Sequence, residues 1–249
     1  MGIARFTASA DNTITNAFKS DLITRATGAN MGLSDILEVF SIYAQADSTS
    51  TEESRILINF PMTPISSSRV SGSLPESGSV SFYLKMFNAE HGRTLPRDYV
   101  LEIRPVQSGW EEGYGLDMDG YTDETNDGTG SNWVNCSAST NGQSGVPWLN
   151  QGGDYWGADD VSSSFTASFP VGNENLEVDI TSLVEQWMQN VTGSTGKPNY
   201  GFGIMLSSSH SSDARSFYTK KFFGRDSEFF FKRPVIEARW DSSYRDDRN

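Results

Sequence analysis

The chain has 249 residues, 36% of them hydrophobic, and carries a formal charge of −13 from 19 basic and 32 acidic residues. That length suits one large all-β unit or two small domains, and 15 Phe, 9 Tyr and 6 Trp supply wide surfaces to bury. The acidic balance excludes a phosphate backbone or an anionic membrane as the main partner, because either would repel it, so neither nucleic acid nor membrane is expected.

Nothing approaches about 18 consecutive apolar residues, so no membrane-crossing helix is expected. The single cysteine, Cys136, rules out an internal disulfide. The start, Met1-Gly-Ile-Ala-Arg-Phe-Thr-Ala-Ser9, has no apolar core segment, so no signal peptide is expected.

Strand signals come first along the chain. Ile36 to Ala44 and Ser54 to Phe60 are short β-branched and aromatic runs, and Pro61-Met-Thr-Pro64 stops the second because proline cannot donate to a ladder. Ser79 to Phe87 alternates, with Val80, Phe82, Leu84 and Met86 on one face. Tyr99 to Val106 puts Tyr99, Leu101 and Ile103 on one side. Such period-two runs bury one face of a sheet and wet the other. Gly, Ser and Pro turns between them indicate a sandwich or barrel.

A polar insert follows, about 110–166, with many Gly and Asn, several Asp, and Trp133, Trp148 and Trp156. Loops this long are functional or mobile, and the tryptophans argue for anchoring to a surface. After Asp179 a short helix is expected. Ser182 with Glu185 has capping-box spacing, with Thr181 as the alternative cap, and Leu183, Val184, Trp187 and Met188 form its apolar face. Two closing strands are read in Tyr200 to Leu206 and Phe222 to Trp240, before a charged tail or linker at 241–249. One sandwich domain over 1–240 is the expected organisation.

These motifs in this order resemble the DNRLRE-type β-sandwich modules, which are related to some carbohydrate-binding modules. The matching segments are Ala10-Asp-Asn-Thr-Ile-Thr15 with Ala29-Asn-Met-Gly32, placed before the first strand, then Arg55 to Pro61 and Val80 to Leu84. Trp110-Glu-Glu112 with Trp133, the Asp179 to Trp187 helix, Gly201 to Leu206 and Pro234 to Trp240 complete them. The stretches around Trp110 to Val134 and Tyr218 to Asp241 also resemble structural proteins of marine tailed bacteriophages. The resemblance implies an all-β antiparallel jelly-roll sandwich that binds or builds and is not an enzyme. It implies a place in the virion after synthesis in the host cytoplasm, with other virion proteins and its own copies as partners. Attachment to a host glycan is the alternative.

Candidate sites follow from residue chemistry. Asp117, Asp119, Asp123 and Asp127 cluster the oxygen ligands that calcium prefers, but lack the EF-hand register, so a solvated acidic loop is the competing reading. No other cofactor is expected. Trp133, Trp148, Tyr155 and Trp156 serve either as a stacking platform for a ligand or partner or as anchors buried beneath the insert. Lys220, Lys221 and Arg225 form a positive concentration that could meet an acidic patch on a neighbour, or simply guard a strand edge. Glu111 and Glu112, with Asp154, Asp159 and Asp160 beyond, could supply a carboxylate pair for glycoside hydrolysis, but acidic surfaces offer such pairs by chance and catalysis is not expected from them.

Overall fold

The computed structural model describes residues 1–90, 96–116, 130–137, 145–157, 164–193, 195–211 and 217–243. The protein is an antiparallel β-sandwich, as the alternating runs require. A four-stranded sheet has the order β1 (Gly2–Thr7), β13 (Val235–Trp240), β5 (Val80–Met86), β10 (Leu176–Asp179). The larger sheet follows the path β12 (Phe217–Phe223), β3 (Ile36–Tyr43), β4 (Thr51–Asn59), β11 (Phe202–Leu206), β6 (Tyr99–Pro105), β9 (Phe165–Phe169), and β2 (Ala10–Thr15) also pairs with β4.

Strands β5 and β6 bury every second side chain, so the alternating faces read from sequence are the inner faces of the sandwich. Val80, Phe82, Leu84 and Met86 meet Leu37, Val39, Ile56, Ile58, Leu101, Ile103, Phe202 and Ile204 in one continuous core. The larger sheet curls into a half-barrel. Its two ends approach through Phe169 of β9 and Phe222 of β12, whose rings lie 6.3 Å apart. Tyr99 stacks on Phe169 at 5.2 Å and meets Tyr218 at 5.7 Å across the same seam.

Two strands precede the first one expected. β1 closes against the last strand, with Gly2 opposite Trp240, and β2 pairs with the second half of β4. The Asp, Asn and Thr residues of β2 hid it, because these types are depleted in strands. They are tolerated here because side chains from other loops satisfy them. Phe222 to Trp240, read as one strand, is two. Gly224 and the turn around Phe230–Lys232 divide β12 from β13.

The helix at Asp179 is α2 (Thr181–Gly193), and Leu183, Val184, Trp187 and Met188 are its buried face. Trp187 packs edge-on against Phe202 at 4.9 Å. The capping box does not form. Asp179 accepts from the Thr181 N–H (2.9 Å) and hydroxyl (2.6 Å), while Glu185 takes a two-bond ion pair with Arg69 (2.8 and 2.6 Å). Arg69 belongs to α1 (Thr63–Val70), which starts where only a strand stop was expected. Pro64 ends strand pairing and also fits a helix's first turn, where its missing N–H costs nothing. A third short helix, α3 (Ser208–Ser211), follows β11. No helix among the described residues is long and apolar enough to cross a membrane.

The described parts of the insert form a small second core. A ribbon of β7 (Asn135–Ser137) and β8 (Val146–Pro147) folds over the outer face of the larger sheet. Trp133, Cys136 and Trp148 pack there on Ile14, Leu57 and Val106. Strand β4 is thus buried on both faces, with Ile56 and Ile58 inward and Leu57 outward.

Candidate functional site

Among the described residues no such cover lies on the outer face of β3 and β12, and a cavity of about 800 Å³ is found there. Its origin is local. β3 pairs with β4 only through Ser41–Glu53 to Tyr43–Thr51, because β2 occupies the rest of that β4 edge. Side chains stitch the separating strands. Ser54 Oγ accepts from the Phe40 N–H (2.9 Å) and donates to the Glu38 carbonyl (2.8 Å).

The segment after β2 arches over this gap and forms the cavity's other wall with Phe18 and Leu22. Arg25 holds the arch. Its guanidinium lies 3.9 Å from the Phe18 ring centre and donates to the carbonyls of Asn16 (2.8 Å) and Thr51 (2.7 Å). The tip is a turn capped by Asp21, which accepts from the Ile23 and Thr24 N–H groups at 2.9 Å each. Those bonds hold its carboxyl below the usual range. Leu22 takes φ 53 to close this turn.

The cavity is mainly apolar, with Phe40, Ile42 and Phe217 on the sheet side and two carboxylates among them. Glu38 is engaged by the Thr219 hydroxyl (2.7 Å) and Lys221 (3.3 Å). Glu52 is only 2% exposed. One of its oxygens accepts from the Phe18 N–H at 2.7 Å, while the other, Oε1, has no hydrogen-bond partner. A buried carboxylate oxygen without a donor is costly to the fold. No sequence motif announced this site, since its residues come from five separate segments. The nearest signal is the acidic pair Glu52-Glu53 near the start of a strand whose later residues Ile56, Leu57 and Ile58 are apolar.

The insert side holds a polar node. The Asp11 N–H donates to Glu112 (2.8 Å), the Arg225 N–H donates to Asp11 (2.5 Å), and the Arg225 side chain grips both Glu112 oxygens at 3.0 Å. Asn12 and Asn30 tie the same node to the Ser131 carbonyl at 2.8 Å each. Burial raises the Asp11 carboxyl to about 7, with nearby Glu112 adding to the rise and Arg225 opposing it. Gly115 and Gly130 permit the close approach, since a Cβ on either would meet Asn30 within 2.5 Å.

These contacts place the expected site residues. Trp133 and Trp148 are buried, which corrects the platform reading for both: they are anchors beneath the insert. Trp148 donates to the Asn132 carbonyl (2.9 Å), and Arg55 lies 4.9 Å from the Trp133 ring. Tyr155 is partly buried and donates to the Gly152 carbonyl (2.7 Å), while partly buried Trp156 receives Lys197 at 5.2 Å.

The positive concentration is also corrected. Lys220 is fully buried, because Tyr218, Lys220 and Phe222 are the inward residues of β12. Lys221 pairs with Glu38, and Arg225 with Glu112. Glu112 is locked into the node, and Asp154 caps a turn by accepting from the N–H groups of Leu149 (2.8 Å) and Asn150 (2.9 Å). Asp117, Asp119, Asp123 and Asp127 lie outside the described residues. Among the described residues, no group of three or more His, Cys, Asp or Glu side chains is placed to hold a metal.

A second surface feature went unread in the sequence. The turn between β12 and β13 presents Phe229, Phe230 and Phe231 at 50%, 60% and 82% exposure. The turn is braced: Phe229 meets Phe223 edge-on at 5.5 Å, and Lys232 lies 4.6 Å from the Phe223 ring and 5.2 Å from that of Phe229. No protein-family model matches this chain, and no curated protein is similar to it in sequence.

Proposed function

We propose that the protein is a non-enzymatic structural component of a bacteriophage virion, serving decoration, collar or tail and fibre attachment. It works by docking its sandwich against other virion proteins or its own copies. The observation that carries this reading is the Phe229–Phe231 turn. Three successive exposed aromatic rings do nothing for the fold's own core and expose apolar surface to water. Aromatic side chains on a braced turn are the residues that anchor protein interfaces. Recognition would combine shape and charge complementarity with this apolar contact.

The test is a cross-linking map of purified particles read by mass spectrometry, with a Phe230→Ser, Phe231→Ser double variant beside the parent chain. Expected are links from the 229–233 turn to a neighbouring virion chain, and loss of the folded variant from particles. Equal incorporation of the variant, or absence of the parent chain from particles, overturns the proposal.

The cavity favours a second reading, attachment to a host-surface glycan. Phe18, Phe40 and Phe217 line it with rings on which a sugar can stack, and the Glu52 carboxylate lies in its wall. A glycan-array signal abolished by Glu52→Gln would select this reading over the first.

A further inference from the structure

Strand β12 turns a lysine into the sandwich. Lys220 stands opposite Val39, between the inward rings of Tyr218 and Phe222, and is 0% exposed. Its amine lies 4.8 Å from the ring centre of Phe169 and 5.2 Å from that of Phe222, at the seam where the curled sheet's ends meet. Three oxygens converge on it: the side-chain oxygen of Asn88 at 2.7 Å and the carbonyls of Gly172 and Glu174 at 2.9 and 2.7 Å.

Asn88 is the group of interest, since its side-chain amide is an electrophile and the other two are backbone. It is fixed from both sides. Its backbone N–H donates to Asn175 (2.9 Å), it bridges to Phe222, and the next residue, Ala89, donates to the Lys221 carbonyl (3.0 Å). A fully buried amine held in contact with one amide on a fixed stretch of backbone is in the position that converts a slow encounter reaction into an internal one. Burial also lowers the Lys220 amine to about 8, against the opposing pull of Glu174, so a minor share is the free nucleophile at neutral pH.

We propose that Lys220 and Asn88 join in an intramolecular isopeptide bond, formed by the folded chain without a cofactor. The ammonium first releases one proton to solvent. The Lys220 nitrogen then bonds to the Asn88 side-chain carbonyl carbon, and the bond from that carbon to its NH₂ breaks. The leaving nitrogen takes up a second proton from the attacking amine and departs as ammonia, which reclaims the first proton in solution. One ammonium and one amide thus become one secondary amide and one ammonium ion, with no change of oxidation state. A surface recess bordered by Asn88, Asn173 and Asn175 gives the ammonia a way out. The product would staple the four-stranded sheet's β5 end to β12 of the larger sheet, across 132 positions of sequence.

The experiment is intact mass spectrometry of the purified, fully denatured full chain, followed by proteolytic mapping. The expected result is a mass one ammonia below that of the sequence, with the peptide carrying residue 88 joined to the peptide carrying residue 220. Lys220→Arg and Asn88→Ala, checked for folding by circular dichroism, should both carry the full sequence mass. A parent chain of full mass overturns the proposal. So does loss of ammonia at another asparagine, with residues 88 and 220 on separate peptides.

Discussion

The outer face of the larger sheet is built in two ways. Over β2, β4 and the start of the insert it is roofed, with Trp133 and Trp148 pressed on Ile14 and Leu57. Over β3 and β12 it stays open, and the arch after β2 encloses a cavity walled by Phe18 and Phe40. Both halves present apolar side chains outward, so hydrophobicity alone does not separate them. The difference lies in how polar groups are settled. Both halves leave a buried carboxylate oxygen without a hydrogen-bond partner, Asp11 Oδ1 under the roof and Glu52 Oε1 beside the cavity, but under the roof Asn12, Asn30, Glu112 and Arg225 also bond the cover in place. What sets the covered face apart is that its polar groups fix a cover in place.

The sharpest way to break this contrast is to remove the roof's anchor. Trp133→Ala deletes a buried indole that packs on Leu57 and takes the Arg55 guanidinium on its face, and should cost about 3–5 kcal/mol by denaturant unfolding. Phe217→Ala, at the rim of the cavity and 67% exposed, should stay within about 0.5 kcal/mol. Equal losses at the two positions would mean that the insert is not held by its tryptophans.

The node beneath the roof has its own signature in pH. Asp11 is raised from 3.8 to about 7 in the folded chain, so its proton is bound more tightly there than in the unfolded chain. Its stabilising contribution is therefore complete below about pH 4 and fades as pH rises to about 7, with at most about 4 kcal/mol at stake. Glu237 acts in the opposite direction. It is only 2% exposed, and Arg5, Arg239 and Lys85 hold its carboxyl at about 2 against the upward push of burial. Its contribution is lost as pH falls from about 4.5 to 2, a separate window. Asp11→Asn should flatten the decline between pH 4 and 7 in thermal melts and leave the acid limb unchanged. An unaltered slope would remove Asp11 as its source.

The contrast between the two halves also decides what the sequence could reveal. Period-two runs such as Val80 to Met86 disclose inward faces because burial acts on every second residue, and the sandwich is legible from them. The apolar face of α2 is legible for the same reason at helical spacing. Strand β2 is not, because Asp11, Asn12 and Thr13 take their partners from residues about 20 to 210 positions away. Lys220 could have been placed: alternation puts it with Tyr218 and Phe222, on the inward face, whereas counting positive charges put it on the surface. The cavity was out of reach, since it exists only because β2 displaces β3 from one edge of β4, and a single sequence does not display that competition.

On the open side, Glu52 offers a mid-sized effect of unusual sign. Glu52→Gln keeps an oxygen for the Phe18 N–H and removes a buried charge, so it should leave stability unchanged or raise it by about 1 kcal/mol. Glu52→Ala takes away that acceptor and should lower stability by about 1–2 kcal/mol. A loss on Glu52→Gln as large as that on Glu52→Ala, read in the same melts, would show that the charge itself is needed in the empty fold and would withdraw the cavity as a binding site.

The smallest effect tests whether the open face relies on charge at all. Lys221 and Glu38 face each other across β12 and β3 at 3.3 Å, with side chains 31% and 22% exposed. Water screens a pair this accessible, and ordering two long side chains offsets much of the attraction, so the coupling from a double-mutant cycle of Lys221→Met and Glu38→Gln should be below about 1 kcal/mol. It should shrink further in high salt. Glu38 is also engaged by the Thr219 hydroxyl, so Glu38→Gln alone should cost more than Lys221→Met alone. If the coupling instead exceeds about 2 kcal/mol, the open face relies on a strong ion pair after all, and the distinction between the two halves fails at its weakest point.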